Sequence, residues 1–355
     1  MKIAIFADAH VYPHGPFARV DESGLSSRAQ TILNAMQKVF TDSDDCEEIW
    51  CLGDLFHSKD RLLVREFNEV YRLFQGNRSK DRKVRLIAGN HDYVSGASRE
   101  SSLVGLSKVV DFVYWRETCS EGFRCSNGIA KVCFVPWEGE IPAPAQIEEI
   151  WGSERYRSGP NILVGHVAVE GAIVGSREYQ PPAGTPLTMF DHFDLVLLGH
   201  YHKRQSVTSK VHYVGSLVAH DFGDAGEVRG FTKLNLDTLE TEFIPLATPR
   251  FLIVRDGDKR LTDYEEKEIS GNYVRVDSRE PCEDEDAVRA MFESRGALGV
   301  VFNYEREYSD QARLSITVDT PLQDTLRQYV EREKASLDAE RLLRVAEETM
   351  EEKEC

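Results

Sequence analysis

Short apolar runs punctuate the first 245 residues. They fall at 3–7, 49–52, 84–88, 132–135, 162–164 and 195–198. Continuous apolar runs of this length predict strands buried on both faces. Two of the stretches between them carry a helical period. In 28–40, Ala29, Ile32, Leu33, Met36, Val39 and Phe40 line one face, and in 61–75, Leu63, Phe67, Val70, Tyr71 and Phe74 do. Alternating strands and helices predict a layered α/β domain. After Gly199 the pattern becomes consecutive strands, 211–214, 231–236 and 242–244, joined by Gly- and Asp-rich turns. Beyond Pro249-Arg250 a strand (273–276), a helix (283–294) and a strand (300–304) predict a small βαβ-like module. From Pro321 the chain is highly charged, with an intermittent helical stripe of Leu322, Leu326, Val330, Leu337, Leu343, Ala346 and Met350. The expected domains are therefore 1–248, 249–320 and a helical segment, 321–355.

Composition narrows the function classes. With 41% hydrophobic residues in 355, the chain has enough apolar material for a sizeable core. No apolar run approaches the roughly 18 residues that span a bilayer. Asp8 interrupts the apolar N-terminus before a signal-peptide core forms. Seven cysteines without a Cys-x-x-Cys pair argue for reduced thiols in a cytoplasm and against a zinc ribbon. The net charge is −17, and residues 251–355 hold 27 acidic against 16 basic residues. Such a chain binds nucleic acid poorly without a local basic surface, metal ions or a partner.

The candidate chemistry lies at the ends of the strands: Asp8-Ala9-His10, then Gly53-Asp54-Leu55-Phe56-His57, Gly89-Asn90-His91-Asp92, Gly165-His166 and Gly199-His200-Tyr201-His202. Six of the ten histidines sit at these five strand ends. Ligands of open α/β sheets bind at that edge. Clustered carboxylates and imidazoles repel one another or shift their protonation unless a cation joins them. Asp8, His10, Asp54, Asn90, His166, His200 and His202 form a hard, thiolate-free set that suits Mn²⁺, Fe²⁺ or Zn²⁺. Seven ligands suffice for two ions sharing the Asp54 carboxylate, the usual device for phosphoester hydrolysis. Each motif alone is common, as a turn, a helix cap or a core histidine; their order and shared position make the case.

That order closely resembles the five blocks of the calcineurin-like metallophosphoesterase superfamily, spread over residues 8–202. The resemblance implies a four-layer α/β/β/α sandwich with a small α+β capping domain and a C-terminal helical segment. It assigns Asp8, His10, Asp54 and His202 to one ion, and Asp54, Asn90, His166 and His200 to the other. It leaves His91 to face the substrate phosphate. Asp92 either orients His91 or caps the next helix.

Gly-Asp-Leu-Phe-His, with His57, resembles the second block of SbcD-type nuclease subunits of double-strand-break repair. Pro136-Trp137-Glu138 is similar to the Pro-Trp of bacteriophage recombination nucleases. The segment through Val214-Gly215-Ser216, Phe222-Gly223-Asp224 and Arg229-Gly230-Phe231 looks like theirs after the last histidine block, although 221–227 is unusually acidic, and no ligand is assigned there. His212 and His220 are read as surface or strand histidines.

The likeness to these nucleases implies a Mn²⁺-dependent double-strand exonuclease and single-strand endonuclease. Hydrolysis would use a hydroxide bridging two ions, with His91, Asp92 and His57 as catalytic candidates. It implies DNA as substrate, a homodimer, and an SbcC-type ABC ATPase whose coiled coil the C-terminal helix grips, in a bacterial cytoplasm or that of a phage host. Arg19, Arg28, Lys59, Arg61, Arg177, Lys203 and Arg204 are candidate phosphate contacts. The alternative is a stand-alone phosphatase or cyclic-nucleotide phosphodiesterase of the same superfamily.

Overall fold

The computed structural model describes residues 1–304 except 14, 16, 23, 60, 80, 95–99, 116, 127, 138–158, 176–177 and 256–259; beyond 304 it describes 324, 325, 327–329, 341 and 344. The chain divides into two units, Met1–Asn303 and Tyr304–Cys355. Among the described residues no helix is long and apolar enough to cross a membrane.

The first unit is an α/β sandwich built on two six-stranded sheets. The first sheet runs β12-β11-β1-β2-β3-β4, from β1 (Lys2–Phe6), β2 (Glu48–Leu52), β3 (Lys83–Ile87), β4 (Phe112–Tyr114), β11 (Gly230–Asn235) and β12 (Thr241–Pro245). The second runs β5-β6-β7-β8-β10-β9, from β5 (Cys119–Cys125), β6 (Gly128–Val135), β7 (Asn161–His166), β8 (Leu195–Gly199), β9 (Gln205–Ser206) and β10 (Val211–Tyr213). Every apolar run named above became a strand. β5 is an edge strand with one buried residue, Phe123, so its sequence carries no buried-strand signal.

Three apolar interfaces separate the layers, because alternate side chains leave opposite faces of a strand. From β1, Ala4 and Phe6 face the helices α1 (Ser27–Thr41) and α2 (Val64–Gly76), with Ile49, Cys51 and Leu86. Ile3 and Ile5 face the second sheet, with Trp50, Ile87, Phe134 and Val164. The outer face of the second sheet packs Leu163, Val196 and Leu198 against Phe190 and Phe193, on and beside the 3-10 turn Leu187–Phe190. Ser26 caps α1 by accepting from the Ala29 amide at 3.0 Å. α2 starts at Val64, later than the periodicity suggests, with the extended Leu63 as its N-cap.

A charged girder crosses the inter-sheet layer. Arg85 on β3 grips Glu48 on β2 through Nε (2.5 Å) and Nη2 (3.2 Å), and reaches Glu121 on β5 of the other sheet at 2.8 Å. Trp50 Nε1 donates to Glu48 at 2.7 Å.

A third sheet, β13-β14-β15, comprises β13 (Phe251–Arg255), β14 (Tyr273–Ser278) and β15 (Gly299–Tyr304), with the helix Glu285–Ser294 between the last two. Val254, Ile269, Val274, Val276, Phe292 and Val300 form its own core. Tyr273 stacks on Phe17 with centroids 5.1 Å apart, and Phe251 packs on Phe222, so the module leans on loops beside the strand ends. The expected boundary at 248/249 falls between β12 and β13; that at 320/321 lies outside the described residues. In the second unit the described residues Asp324, Thr325, Arg327, Gln328, Tyr329, Arg341 and Arg344 are helical; the apolar stripe expected there lies outside them.

Removing Arg85 would leave Glu48 buried without its countercharge. Arg85→Ala is expected to lower the unfolding free energy by about 3–5 kcal/mol, read by urea denaturation.

Candidate metal centre

The sheet edge delivers all seven expected ligands to one place. Asp8 and His10 leave β1, Asp54 leaves β2, and Asn90 leaves β3. His166 ends β7, and His200 and His202 follow β8. Backbone bonds from Asp8 to Gly53 (3.0 Å) and from His10 to Asp54 (2.9 Å) lock the first two loops together. Six described non-glycine residues have positive φ; four are Asp8 (51°), His10 (46°), Asp54 (53°) and His200 (104°). Left-handed backbone costs such residues about 1–3 kcal/mol each and persists where the surroundings over-determine it.

Two glycines keep the loops close. A Cβ on Gly89 would fall 2.1 Å from Asp54 Oδ1. At Gly53, with φ +98°, one would fall 2.2 Å from His166 Nδ1.

Asp54 is 2% exposed, and its Oδ2 lies 3.5 Å from both His10 Nε2 and His166 Nε2. That is the position of a shared ligand. Its Oδ1 accepts from the His91 amide at 2.8 Å. Asp8, fully buried, accepts from the His200 amide at 3.1 Å through both oxygens. Asn90 Oδ1 lies 3.0 Å from His166 Nε2 and 3.1 Å from His200 Nδ1. His10 Nε2 faces His202 Nε2 at 3.2 Å, and His10 Nδ1 faces His57 Nδ1 at 3.4 Å. The ligand atoms of Asp8, His10 and His202 lie within 4.8 Å of one another, as do those of Asp8, Asp54 and His166.

Electrostatics explain why this donor set fits divalent cations. Burial pushes the Asp8 carboxyl up to about 6. Burial opposes charge on Asp54 too, yet His166 and His10 hold it below the usual carboxylate range. Burial, then the neighbouring imidazoles, keep His10 well below its ordinary value, and His200 falls to about 3 for the same reasons. The neutral His10 and His200 rings offer lone pairs to a cation. Burial opposes charge on His202 as well, yet Asp224 raises it above its ordinary value. Nδ1 of His166 donates to the Leu52 carbonyl at 2.8 Å, which turns Nε2 to the centre.

His91 and His57 stand beside the cluster. Nδ1 of His91 donates to the His57 carbonyl at 2.6 Å, leaving Nε2 for a substrate. His57 stacks between Tyr12 and His91, with centroids 4.6 and 5.2 Å away. Asp92 behaves differently from expectation. It is fully buried and accepts from the amides of Gly89 (2.9 Å), Phe56 (3.2 Å) and Leu55 (3.3 Å). It braces two ligand loops through their backbones instead of touching the His91 ring.

Sequence reasoning missed three contributors. Asp224 Oδ2 stands 3.6 Å from His202 Nδ1, and its other oxygen pairs with Arg229 at 3.0 Å. Arg229 in turn donates to the His202 carbonyl. His220, read as a peripheral histidine, donates from Nε2 to the Asp8 carbonyl at 2.9 Å and accepts from Arg28 at 2.9 Å. Arg28 is therefore not a free phosphate contact: it is buried and also bonds the Ala219 carbonyl at 2.6 Å. His212 instead bonds Ser206 at 2.8 Å on β10. Lys203 is held by Glu178 and Glu227, while Glu138 and Arg177 lie outside the described residues.

A family model of the calcineurin-like phosphoesterases matches residues 1–204. The chain belongs to this family. Its chemistry is the hydrolysis of phosphoesters with divalent metal ions, and the Asp and His cluster offers donor groups that could hold them. Among solved structures it is similar to a dimetal phosphatase from Danio rerio, at 8% identity and TM-score 0.43, over 66% of this chain and 92% of that one. It is also similar to purple acid phosphatase PPD1 from yellow lupin (Lupinus luteus) seeds, at 14% identity and TM-score 0.42. That match covers 68% of this chain and about half (49%) of the lupin chain.

Burial opposes charge on His166, yet Asp54 and Asp8 raise it to about 9. At pH 7 the ring therefore holds a proton that an incoming cation displaces. Affinity for Mn²⁺ is expected to rise with pH up to about 9, and calorimetry in buffers of different ionisation enthalpy should read at least one proton released per chain. Asp224→Asn, which weakens the hold on His202, is expected to lower Mn²⁺ affinity by about 10–100-fold in equilibrium dialysis.

Proposed function

We propose that this phosphoesterase is a DNA nuclease, cutting duplex ends as an exonuclease and single strands as an endonuclease. It would serve as the nuclease subunit of a recombination or repair complex. The observation that carries this reading is the Gly-Asp-Leu-Phe-His loop. It sets His57 against His91 at the mouth of the metal-ligand cluster and supplies the carbonyl that orients the His91 ring.

Asp8, His10, Asp54 and His202 would hold one divalent ion, and Asp54, Asn90, His166 and His200 the other. Bound there, the ions would supply Lewis acidity to the phosphoryl oxygens and acidify the attacking water. The protein's own part falls to His91. With Nδ1–H committed to the His57 carbonyl, the imidazolium donates from Nε2 to the leaving oxygen as water displaces it from phosphorus. Arg19, Lys59 and Arg61 make no ion pair among the described residues and are the free cations for the DNA backbone. The acidic chain takes the rest of its DNA affinity from a partner, a coiled-coil ABC-type ATPase, and from a second copy of itself.

The test compares a labelled duplex, a single-stranded circle, bis-p-nitrophenyl phosphate and a cyclic nucleotide, each with Mn²⁺. Cleavage of both DNAs is expected, and His91→Ala should bind Mn²⁺ normally while turnover falls about 10²–10⁴-fold. Turnover of the small esters with both DNAs intact would instead identify a stand-alone phosphatase or cyclic-nucleotide phosphodiesterase.

A further inference from the structure

Two clefts meet at the metal-ligand cluster and share Asn90 and His200. The first, about 210 Å³, is walled by histidines and contains Asp54 and Asp221. The second, about 370 Å³, is chemically different: Trp137, Pro181, Pro182, Tyr201 and Lys59 line it, and none of its described lining residues is a carboxylate. In a chain of net charge −17, a cleft with one lysine and no acid beside a phosphoester centre is a selective feature.

Trp137 is fixed from two sides. Its amide donates to the Ala88 carbonyl at 2.9 Å, immediately before Gly89-Asn90. Its indole lies 4.8 Å from the His200 ring at an interplanar angle of 29°. The aromatic wall is thus tied to two of the second ion's candidate ligands. Lys59 is exposed and makes no ion pair among the described residues. The volume falls within the range of small-molecule pockets, roughly 300–1,000 Å³.

Resting on the phosphodiesterase reading above, we propose that this cleft is a nucleoside subsite. It takes the base next to the scissile phosphate against Trp137 and the two prolines, with Lys59 on a phosphate oxygen. Flat π-faces stack on aromatic walls whatever the base, so the subsite would favour nucleotides over other phosphoesters without reading sequence.

The experiment measures binding of dAMP and of deoxyribose 5-phosphate to the Mn²⁺-loaded full chain by equilibrium dialysis. The expected result is dAMP binding about tenfold tighter or better. Trp137→Ala should reduce dAMP to the affinity of the sugar phosphate, and Trp137→Phe should restore most of the difference. Equal binding of the two ligands by the wild type would overturn the proposal. So would an equal loss for both ligands in Trp137→Ala, which would mean that the indole acts only through His200.

Should Trp137→Ala not fold, Lys59→Glu at its exposed position decides: unchanged dAMP affinity would overturn the subsite. The two readings fail separately. Trp137-dependent dAMP binding without DNA cleavage keeps the subsite and removes the nuclease. DNA cleavage with no gain from the base does the reverse.

Discussion

Two carboxylates almost sealed from water, Asp8 and Asp54, set the terms for everything around them. A buried carboxylate is costly unless charge or hydrogen bonds compensate it. Here backbone amides of His200 and His91 supply part of that compensation, and His166 supplies more. The remaining deficit is what makes the site a cation trap. The same burial keeps His10 and His200 neutral, while Asp54 and Asp8 hold a proton on His166 and Asp224 favours one on His202. A site of negative oxygens and free nitrogen lone pairs is stable as a fold only while the loops are held, and active only once cations join it.

Holding the loops falls to groups that never meet a substrate. Asp92 ties the Gly89 turn to the Leu55-Phe56 backbone, so the ligands Asp54 and Asn90 move together. Arg28 and His220 pin the Asp8 carbonyl from the α1 side. Asp224 and Arg229 clasp His202 by its ring and its carbonyl. These braces explain how four ligands tolerate left-handed backbone: the loops have no relaxed alternative without breaking several buried bonds.

The convergence of the candidate ligands was legible in the sequence because they follow apolar runs, and strand ends in such sheets converge. The α1 helix and the module of 273–304 were legible for a similar reason, a period or a run that packing preserves. The braces were not. Asp224 sits in an acidic loop and His220 beside a turn, and only the tertiary path brings them to Asp8 and His202. Arg28 illustrates the opposite error: a cation near the motif reads as a phosphate contact, yet its place at the start of α1 buries it. Asp92 follows a catalytic motif, and local sequence cannot tell whether a carboxylate faces the ring beside it or the backbone of another loop.

Net charge says less about substrate than the placement of each charge does. Residues 251–355 alone carry −11 of the −17. The Debye length is about 8 Å at physiological salt, so an exposed carboxylate weighs on the catalytic edge only within about that distance. Bound cations would offset the charge of Asp8 and Asp54 where the phosphate arrives. A phosphoester at that edge would then meet imidazoles, an aromatic wall and cations that make no ion pair among the described residues, and the −17 of the whole chain does not argue against an anionic substrate.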